Sequence, residues 1–492
     1  MSLTKLKKAQ AYEDKYSVSI TKEERPLFHV TPTIGWMNDP NGFSYYKGEY
    51  HLFYQYHPYN TKWGPMHWGH VKSKDLLHWE RLPIALAPDE EYESGCFSGT
   101  AAITADGKHL LMYTAMHQEL LEDGSIKEQQ TQCIAIGDGI TYSKYKDNPV
   151  ITGLYLPEGH SKVDFRDPKI WYDGSKWNVI IANRKEDANG CILLFQSDDT
   201  KRWEYITKLE ENDGTYGNMW ECPDFFSLDG SDVLLTSPME MLDNGDDIHN
   251  GHGVIALLGS YDKGTHKFTR SHVQAIDHGF DFYAPETMRS PDNRRIMIGW
   301  MQSWEASASQ LYGTKWYGMM TIPRELSIMN GKIIQNPVRE LENCRKNLIS
   351  YHDVCIDSTI QLENVVGRIV DMELSIRPGE SGFETFSIAL AKKENMQTMI
   401  TYNSQNNTLC VDRSACGVHH DINNMRIINV SDRRSKIDFR FVLDRFSIEM
   451  FVNGGEQAFS MCIYETPQYA NQIEFSCKGE ACFDIKKYDI EL

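Results

Sequence analysis

The sequence predicts an all-β protein in which a five-bladed β-propeller is followed by a C-terminal β-sandwich. Short apolar runs separated by Gly, Asn, Asp and Pro turns dominate from about residue 28 to residue 337, as is typical of sheet proteins. Similar motifs recur about every sixty residues in that region, a length that accommodates four strands and their loops. A second set of alternating strand signals follows, from about residue 351 to the last residue, 492.

Residues 1–27 precede the first strand signal and are predicted to form an N-terminal extension. A helical pattern covers residues 4–24, so we expect one short amphipathic helix that braces the following domain. The first twenty residues are polar and rich in lysine, unlike a secretory signal, which has an apolar centre.

The propeller is predicted for residues 28–340, and five repeated motifs support it. Each motif contains a distinctive residue that we use as an anchor, and three of the motifs lead into a hairpin with Gly at its turn. In a propeller the first strand of every blade lines one central channel, so residues at equivalent blade positions meet on the axis. The anchors are Asp39, Gly99, Asp167, Glu221 and Glu286.

After the propeller, residues 341–350 are charged and polar, and we predict that they form a linker. Residues 351–492 resume strand alternation. Within them, the run 439–455 is typical of two strands joined by an Asp-Arg turn and followed by an Asn-Gly turn. About 140 residues of this kind favour a β-sandwich.

Composition excludes several classes of protein. A formal net charge of −19 disfavours binding to nucleic acid or to anionic membranes, and the sequence lacks an apolar run long enough to span a bilayer. The 11 cysteines are scattered, odd in number and free of Cys-x-x-Cys spacing. This pattern argues against a disulfide framework or a zinc ribbon and favours a reducing compartment, so we expect a cytoplasmic protein.

Three acidic residues occur in related settings beside proline. Asp39 lies in Trp-Met-Asn-Asp-Pro-Asn-Gly, Asp167 in Arg-Asp-Pro and Glu221 in Trp-Glu-Cys-Pro-Asp. The Pro, Asn and Gly around Asp39 predict a tight, rigid turn, which would hold its carboxylate in few conformations. Three such carboxylates on separate strands indicate a glycosidase active site.

The residue types suggest how the three carboxylates divide the work. A retaining glycosidase needs an ionised nucleophile and a second carboxyl group that acts first as acid and then as base. Glu221, between Trp220 and Cys222, is predicted to have a raised pKa and to be the acid/base. Asp39 is the predicted nucleophile. Arg166 is expected to keep Asp167 ionised, so that Asp167 stabilises the positive charge that develops on the sugar.

At these residues the sequence resembles glycoside hydrolase family 32. The matching motifs run in order along the propeller region, and the segment 443–451 resembles the family's sandwich domain. The resemblance implies a five-bladed propeller, retention at the anomeric carbon of fructose, no metal and no other cofactor. The propeller motifs are 36–42, 54–58, 63–64, 97–100, 166–168 and 221–224.

The resemblance also implies a set of substrate contacts and a substrate class. It assigns Asp39 as nucleophile, Asp167 as transition-state stabiliser and Glu221 as acid/base. The expected partner is a small sugar: sucrose, sucrose-6-phosphate or a short fructo-oligosaccharide, as for the bacterial intracellular sucrose hydrolases of the family. The predicted binding residues are Trp36, Asn38, Gln55, Trp63, Phe97, Ser98, Arg166, Cys222 and Trp304.

Several alternatives stay open at the level of sequence. The same site could belong to an exo-fructanase or a fructosyltransferase, an inverting glycosidase could use another five-bladed propeller, and a sugar-binding protein without turnover is a further class. A phosphate pocket needs Arg or Lys at its rim, for which Lys62, Lys185 and Lys315 are the candidates.

Two segments have features of metal sites without the required pattern. His67 and His70 point to opposite faces if they lie on a strand, so they are not expected to share an ion. The segment 243–250 has the composition of a calcium loop but not its spacing, and we expect a solvated loop at the rim of the channel.

Overall fold

Five sheets form the part of the chain that was predicted to be a propeller. The structure, a computed structural model, describes residues 4–185, 189–243, 245, 248–305, 314–417, 424–431 and 433–492. In chain order the first three sheets contain β1 (Gly35–Tyr46), β2 (Glu49–His57), β3 (His67–Ser73) and β4 (Trp79–Arg81); β5 (Gly95–Ile103), β6 (His109–Leu120), β7 (Ile126–Gly137) and β8 (Tyr142–Lys144); and β9 (His160–Tyr172), β10 (Trp177–Lys185), β11 (Gly190–Ser197) and β12 (Glu204–Glu211).

The last two sheets complete the ring. They contain β13 (Trp220–Leu228), β14 (Ser231–Pro238), β15 (Ile255–Asp262) and β16 (Lys267–Ala275); and β17 (Tyr283–Arg289), β18 (Arg295–Trp300), β20 (Arg324–Met329) and β21 (Lys332–Pro337). The short strand β19 (Trp316–Tyr317) leaves the fifth sheet and pairs in parallel with β1. The first strands contact one another in the order β1, β5, β9, β13 and β17, and β17 contacts β1. The predicted five-bladed propeller is therefore confirmed.

Every first strand carries a β-bulge at its predicted anchor region. The antiparallel register shifts between Met37 and Pro40 in β1, and comparable shifts interrupt β5, β9, β13 and β17. Four of the bulges contain or precede a proline, which has no N–H to donate. Three of these strands are edges of their sheets, and β1 pairs with β19 only at Gly35 and Trp36, ahead of its proline, so the bulge accommodates the proline in each case. Asp39 thus lies on a bulged strand, and the prediction that it occupies a tight turn was wrong.

Gly99, the anchor of the second blade, has a steric explanation. A Cβ atom at this position would lie 2.1 Å from the carbonyl oxygen of Met112 on the neighbouring strand β6. Only glycine permits this close approach of two backbones next to the bulge.

The C-terminal region is antiparallel and surrounds one apolar core. Its longest strand, β24 (Val370–Lys393), pairs through its first half with β28 (Ile437–Asp444) and through its second half with β25 (Met396–Asn403). The sheet therefore folds over itself as in a sandwich. The strands are β22 (Arg345–Ile356), β23 (Thr359–Ile360), β24 (Val370–Lys393), β25 (Met396–Asn403), β26 (Thr408–Asp412), β27 (Met425–Asn429), β28 (Ile437–Asp444), β29 (Ser447–Val452), β30 (Gln457–Cys462) and β31 (Gln472–Ile490).

The segment 341–350, predicted to be a linker, has regular structure. It contains the end of a 3₁₀ helix, Arg339–Cys344, and the first half of β22, which pairs with β31. Its charged side chains had suggested a connector, yet they have partners in the fold: the Arg345 guanidinium lies 2.8 Å from Asp371 Oδ2. The alternation of exposed and partly buried residues along β22 is that of an edge strand.

Buried ion pairs join the two domains. His29, just before the first blade, lies 2.9 Å from Asp444 and 3.0 Å from Glu449, both of which belong to the sandwich. Arg324 of the fifth blade lies 2.7 Å from Glu449 and 2.9 Å from Asp277. These charges are almost completely buried, so each depends on its partners.

A helix, α1 (Lys5–Tyr16), precedes the propeller and packs against the first blade. Thr4 caps its first turn, and Glu13 on its inner face accepts a 2.7 Å hydrogen bond from Tyr56. Two shorter 3₁₀ helices are formed by Ser17–Ser19 and Gly153–Tyr155. Among the described residues, no helix is long and apolar enough to cross a membrane.

One pair of cysteines differs from the expectation of unpaired thiols. Cys355 and Cys482 lie directly opposite each other on β22 and β31, and their sulfur atoms are bonded. The other nine cysteines, all of them described, keep their thiol groups. The pairing depends on the register of two strands 127 residues apart in sequence, which the spacing of the cysteines does not reveal.

Candidate active site

The bulges arrange the channel-lining side chains in three tiers. In β9, β13 and β17 the residue before each bulge forms an upper tier, the bulged residues form a middle tier, and the residue after each bulge forms a lower tier. The upper tier is Arg166, Glu221 and Tyr283. The middle tier includes Asp39 and Ser98 from the first two blades together with Asp167 and Cys222, and the lower tier is Lys169, Asp224 and Glu286.

In the upper tier, Glu221 is held from both sides. Arg166 Nε donates to Glu221 Oε1 at 3.0 Å, and the Tyr283 hydroxyl lies 2.7 Å from Glu221 Oε2. The same Tyr283 hydroxyl lies 2.9 Å from the carbonyl oxygen of Ser237. Arg166 is itself fixed by Asp164, whose Oδ1 accepts from Nη1 at 2.9 Å. The Glu221 carboxyl group therefore has one defined orientation.

The middle tier brings Asp39 and Asp167 to the same residue, Cys222. The Cys222 amide donates to Asp167 Oδ2 at 3.0 Å, and its Sγ lies 3.7 Å from Asp39 Oδ2. Asp39 also accepts hydrogen bonds from Ser98 Oγ at 2.6 Å and from Asn38 Nδ2 at 3.1 Å. Since Cys222 follows Glu221 directly, all three predicted carboxylates converge on one end of the channel.

Positive backbone φ angles orient two side chains of the middle tier. Asp167 has a φ of 62° and Cys222 a φ of 47°, a conformation that side chains with a Cβ seldom adopt. Each residue precedes a proline inside a bulge, where the chain is forced out of the regular pleat. Strain of this kind concentrates at functional sites, where surrounding contacts hold it in place.

The lower tier places one lysine between two carboxyl groups across the channel. Lys169 Nζ lies 3.1 Å from Asp224 and 3.0 Å from Glu286, and it also donates to the Thr287 carbonyl at 2.8 Å. Glu286 accepts a further hydrogen bond from the Phe43 amide. Glu286 had been aligned with Glu221 as an anchor, but the register pairs it with Asp224 instead, one tier below the other carboxylates.

Burial and mutual repulsion set the ionisation of the aspartates. Burial raises the pKa of Asp39; the hydrogen bond from Ser98 opposes this effect, and the charge of Glu221 adds to it. Burial also raises the pKa of Asp167 to about 7, although Arg166 favours its ionised form. The expectation that Arg166 keeps Asp167 permanently ionised is therefore corrected.

The thiol of Cys222 is held in its protonated form. Burial, followed by the charges of Asp167 and Asp39, raises the pKa of its thiol well above the usual value. A thiol that stays protonated is a poor nucleophile. Its contacts indicate a role in spacing the two aspartates.

Two of the predicted binding residues, Trp36 and Trp304, form an aromatic wall beside Asp39 together with Tyr317. Trp36 Nε1 donates to Asn38 Oδ1 at 2.8 Å, which in turn orients the Asn38 amide toward Asp39. The Trp36 ring stacks on Trp304 with centroids 6.2 Å apart and on Tyr317 with centroids 5.4 Å apart. A sugar ring above Asp39 would meet this wall through its apolar C–H faces.

The other predicted binding residues lie on the second-blade side. Phe97 adjoins Ser98, and Trp63, whose surface is 47% exposed, stands edge-on to Phe97 at 6.1 Å. Gln55 is buried, and its amide donates to the Cys96 carbonyl at 3.0 Å. Gln55 thus supports the strand that carries Ser98, while Trp63 stands at the mouth of the channel.

Sequence reasoning did not identify Tyr283. The signal was present, since Glu221-Cys-Pro and Tyr283-Ala-Pro align through their prolines and place Glu221 and Tyr283 at equivalent positions of successive blades. The alignment of Glu286 with Glu221 obscured it.

His67 and His70, the first of the two metal-like segments, have separate partners, the Pro65 carbonyl and the His51 ring. Within the described ranges, the one group of side chains with ligand-like spacing is Asp353 with Cys355 and Cys482, whose sulfurs are bonded to each other. Part of the calcium-like segment 243–250 lies outside the described residues.

Comparisons with known proteins agree with this architecture. Residues 29–337 match the Glycosyl hydrolases family 32 N-terminal domain, and residues 340–490 match the Glycosyl hydrolases family 32 C-terminal domain. A sucrose-6-phosphate hydrolase of Zymomonas mobilis is 35% identical, with 95% of this chain and 92% of that protein covered.

Solved structures give the same result. A family 32 β-fructofuranosidase of Bombyx mori superposes with a TM-score of 0.83 at 32% identity, covering 99% of this chain and 98% of that one. A variant of that silkworm enzyme, similar to this chain to the same degree, was solved in complex with sucrose. With both of its domains matched, this chain belongs to glycosyl hydrolase family 32.

Proposed function

We propose that the protein is a retaining β-fructofuranosidase that hydrolyses the terminal fructosyl residue of sucrose or sucrose-6-phosphate. One observation carries the proposal: Asp39 and Glu221, on the first and fourth blades, reach one end of the channel, where Cys222 links them. The bacterial relative is named for sucrose-6-phosphate, and the silkworm enzyme was solved with sucrose, which supports these substrates.

In the first step Asp39 attacks the anomeric carbon of the fructosyl unit. As the C–O bond to the leaving sugar breaks, Glu221 gives its proton to the departing oxygen, and a covalent fructosyl–Asp39 ester forms. The hydrogen bonds from Ser98 and Asn38 hold the attacking carboxylate in one orientation and support its ionised form.

In the second step Glu221 acts as a base. It removes a proton from water, the water oxygen attacks the anomeric carbon, and the Asp39 ester bond breaks to release fructose with its configuration retained. Tyr283 suits both roles of Glu221. Its hydroxyl can donate to ionised Glu221, or donate to the Ser237 carbonyl and accept from protonated Glu221.

Asp167 supports the transition state without bonding to the sugar. Its Oδ2 is anchored on the Cys222 amide, and its own backbone N–H donates to Thr114 at 3.0 Å. A fixed carboxylate beside the anomeric carbon stabilises positive charge there, and it does so best when ionised. Arg166 is held away from this oxygen, at 4.0 Å.

Transfer of fructose to another sugar, in place of water, uses the same intermediate and is the second candidate activity. The lower tier lies across the channel below the site, which favours removal of terminal residues. We also propose a cytoplasmic location, which is supported by the nine free thiols.

The proposal is tested with sucrose and two variants. Asp39→Asn should lose at least ~10³-fold in kcat, since no intermediate forms, whereas Glu221→Gln should lose rate on sucrose but much less on an activated aryl fructoside. NMR during turnover should show that the first fructose released is the β anomer. Release of the α anomer, or full activity of Asp39→Asn, would contradict the mechanism.

A further inference from the structure

A second cavity lies beside the leaving-group side of the active site, between the fourth blade and the sandwich. His252 connects the two, since it lines the cavity and its ring lies 5.5 Å from that of Tyr283, the partner of Glu221. The segment that carries Trp304 toward Asp39 contributes its neighbours Ser303 and Glu305 to the cavity wall. The cavity volume is about 40 Å³, room for a small polar group attached to a bound sugar.

Two arginines of the sandwich line this cavity. Arg413 follows β26 and Arg426 lies on the paired strand β27, so one hairpin carries both. Both guanidinium groups lie over the ring of Phe280, at 4.2 Å and 5.6 Å from its centroid. Two cations on one ring repel each other, an arrangement that an anion between them would stabilise.

The charges of the two arginines are not balanced equally. Arg413 is paired with Asp281 and donates to the Cys462 carbonyl. Arg426 has no hydrogen bond or ion pair among the described residues, and its buried Nε has no partner. Burial, and then the charge of Arg413, lower the pKa of Arg426 to about 10, which leaves it protonated at neutral pH.

Two acidic residues line the cavity, and both are already paired: Asp277 with Arg324, and Glu305 with His252. Glu305 accepts a 2.6 Å hydrogen bond from His252 Nδ1, and it also accepts from the His252 backbone amide. His249, another lining residue, has a buried Nε2 without a hydrogen-bond partner. As far as the described residues go, the cavity thus offers a ligand one guanidinium without an ion pair and one imidazole nitrogen without a hydrogen bond.

We infer that this cavity binds the phosphate of a phosphorylated leaving-group sugar, with Arg426 as its principal anchor. The inference deepens the proposed function and rests on it, because the sugar that leaves on the Glu221 side would carry the phosphate. The planar guanidinium group of arginine presents several hydrogen-bond donors that match the oxygens of a phosphate. Sucrose carries no charge, so it forms no ion pair with a buried cation.

The three lysines predicted as phosphate ligands lie elsewhere. Lys62 is exposed, Lys185 lies 3.7 Å from Glu211, and Lys315 donates to Ser19 at 2.8 Å. None of the three lines the cavity. Sequence alone could not identify Arg426, because the sandwich is brought to the channel only by the packing of the two domains.

The test compares Arg426→Gln and Arg426→Lys with the wild-type protein. The ratio of kcat/KM for sucrose-6-phosphate to that for sucrose should fall about tenfold or more in Arg426→Gln and recover in part in Arg426→Lys. Arg433→Gln is the control, since Arg433 is paired with Glu456 in the same domain and does not line the cavity. It should leave the ratio as it is.

A binding experiment separates this inference from the proposed function. Calorimetry with glucose 6-phosphate, glucose and inorganic phosphate requires no turnover; glucose 6-phosphate should bind most tightly, and Arg426→Gln should remove its advantage over glucose. An unchanged ratio and unchanged binding in Arg426→Gln would overturn the inference, as would inorganic phosphate binding as tightly as the sugar phosphate. Absence of fructose release from either sugar, with the binding difference intact, would refute only the proposed function.

Discussion

Arg166 forms its close ion pair with Glu221, 55 residues away, and not with its sequence neighbour Asp167. The Nε–Oε1 distance to Glu221 is 3.0 Å, whereas the Nε–Oδ2 distance to Asp167 is 4.0 Å. The cause is the bulge in β9: Arg166 keeps the regular register, while Asp167, at a φ of 62°, is turned toward Cys222. Arg166 therefore positions the proposed acid/base.

Replacement of Arg166 by Lys should reduce kcat on sucrose by about 100-fold. Arg166 reaches Glu221 through Nε and Asp164 through Nη1, and a single ammonium group cannot serve both carboxylates. Steady-state kinetics should show the loss mainly in kcat. The matched control is Arg184→Lys, which alters the other, more exposed partner of Asp164, and kcat there should stay within about threefold of wild type.

Tyr283→Phe should lower kcat on sucrose by about tenfold and affect an activated aryl fructoside less. The variant removes the hydroxyl that lies 2.7 Å from Glu221 Oε2, and leaving groups that need no proton depend less on Glu221. Tyr113→Phe removes a comparable buried hydrogen bond, to Glu93, away from the channel. Equal rate losses in these two variants would indicate that Tyr283 has only a structural role.

The order of the blades could be predicted from the sequence, but the direction in which each side chain points could not. Proline beside an acidic residue recurs with the blade period, which identified Asp39, Asp167 and Glu221 as residues on the axis. A bulge inserts one residue into a strand, and everything beyond it then changes face. Glu286 follows the bulge of its strand, whereas Glu221 precedes the bulge of its own, so the two residues lie in different tiers; the shared proline motif aligns Glu221 with Tyr283 but does not show where each side chain points.

Lys169→Met should destabilise the propeller by about 3–5 kcal/mol, because Asp224 and Glu286 would remain buried without a cation. Urea unfolding would measure the loss. Adding Asp224→Asn and Glu286→Gln to the same variant should restore part of the stability, since the uncompensated charges are then gone. Lys176→Met is the control: it breaks an exposed ion pair with Asp198 and should lower the free energy of unfolding by less than about 1 kcal/mol.

The acid limb of the kcat/KM profile for sucrose should lie near pH 7 and depend on the hydrogen bond from Ser98 to Asp39. Burial raises the pKa of Asp39 and raises that of Asp167 to about 7, and both act as carboxylates, so activity falls as pH drops through this range. Ser98→Ala removes the hydrogen bond that favours ionised Asp39, so the acid limb of that variant should move to higher pH. An unmoved acid limb would show that this hydrogen bond does not set the ionisation of Asp39.

His29→Gln should destabilise the protein most at neutral and mildly acidic pH. Burial lowers the pKa of His29, but hydrogen bonds and charge from Asp444 and Glu449 outweigh it and raise the pKa to about 9. A group whose pKa is raised on folding contributes its full stabilisation below its unfolded pKa, about 6.5, and loses it as pH rises through about 9.

The melting temperature of the wild-type protein should therefore decline between pH 6.5 and pH 9 more steeply than that of His29→Gln, and the two curves should converge near pH 9. Differential scanning calorimetry across this range measures both. His78→Gln, which removes an exposed histidine 2.7 Å from Asp75, serves as the control and should run parallel to the wild type. If the melting temperatures of His29→Gln and wild type instead change in parallel with pH, His29 is not charged between the two domains.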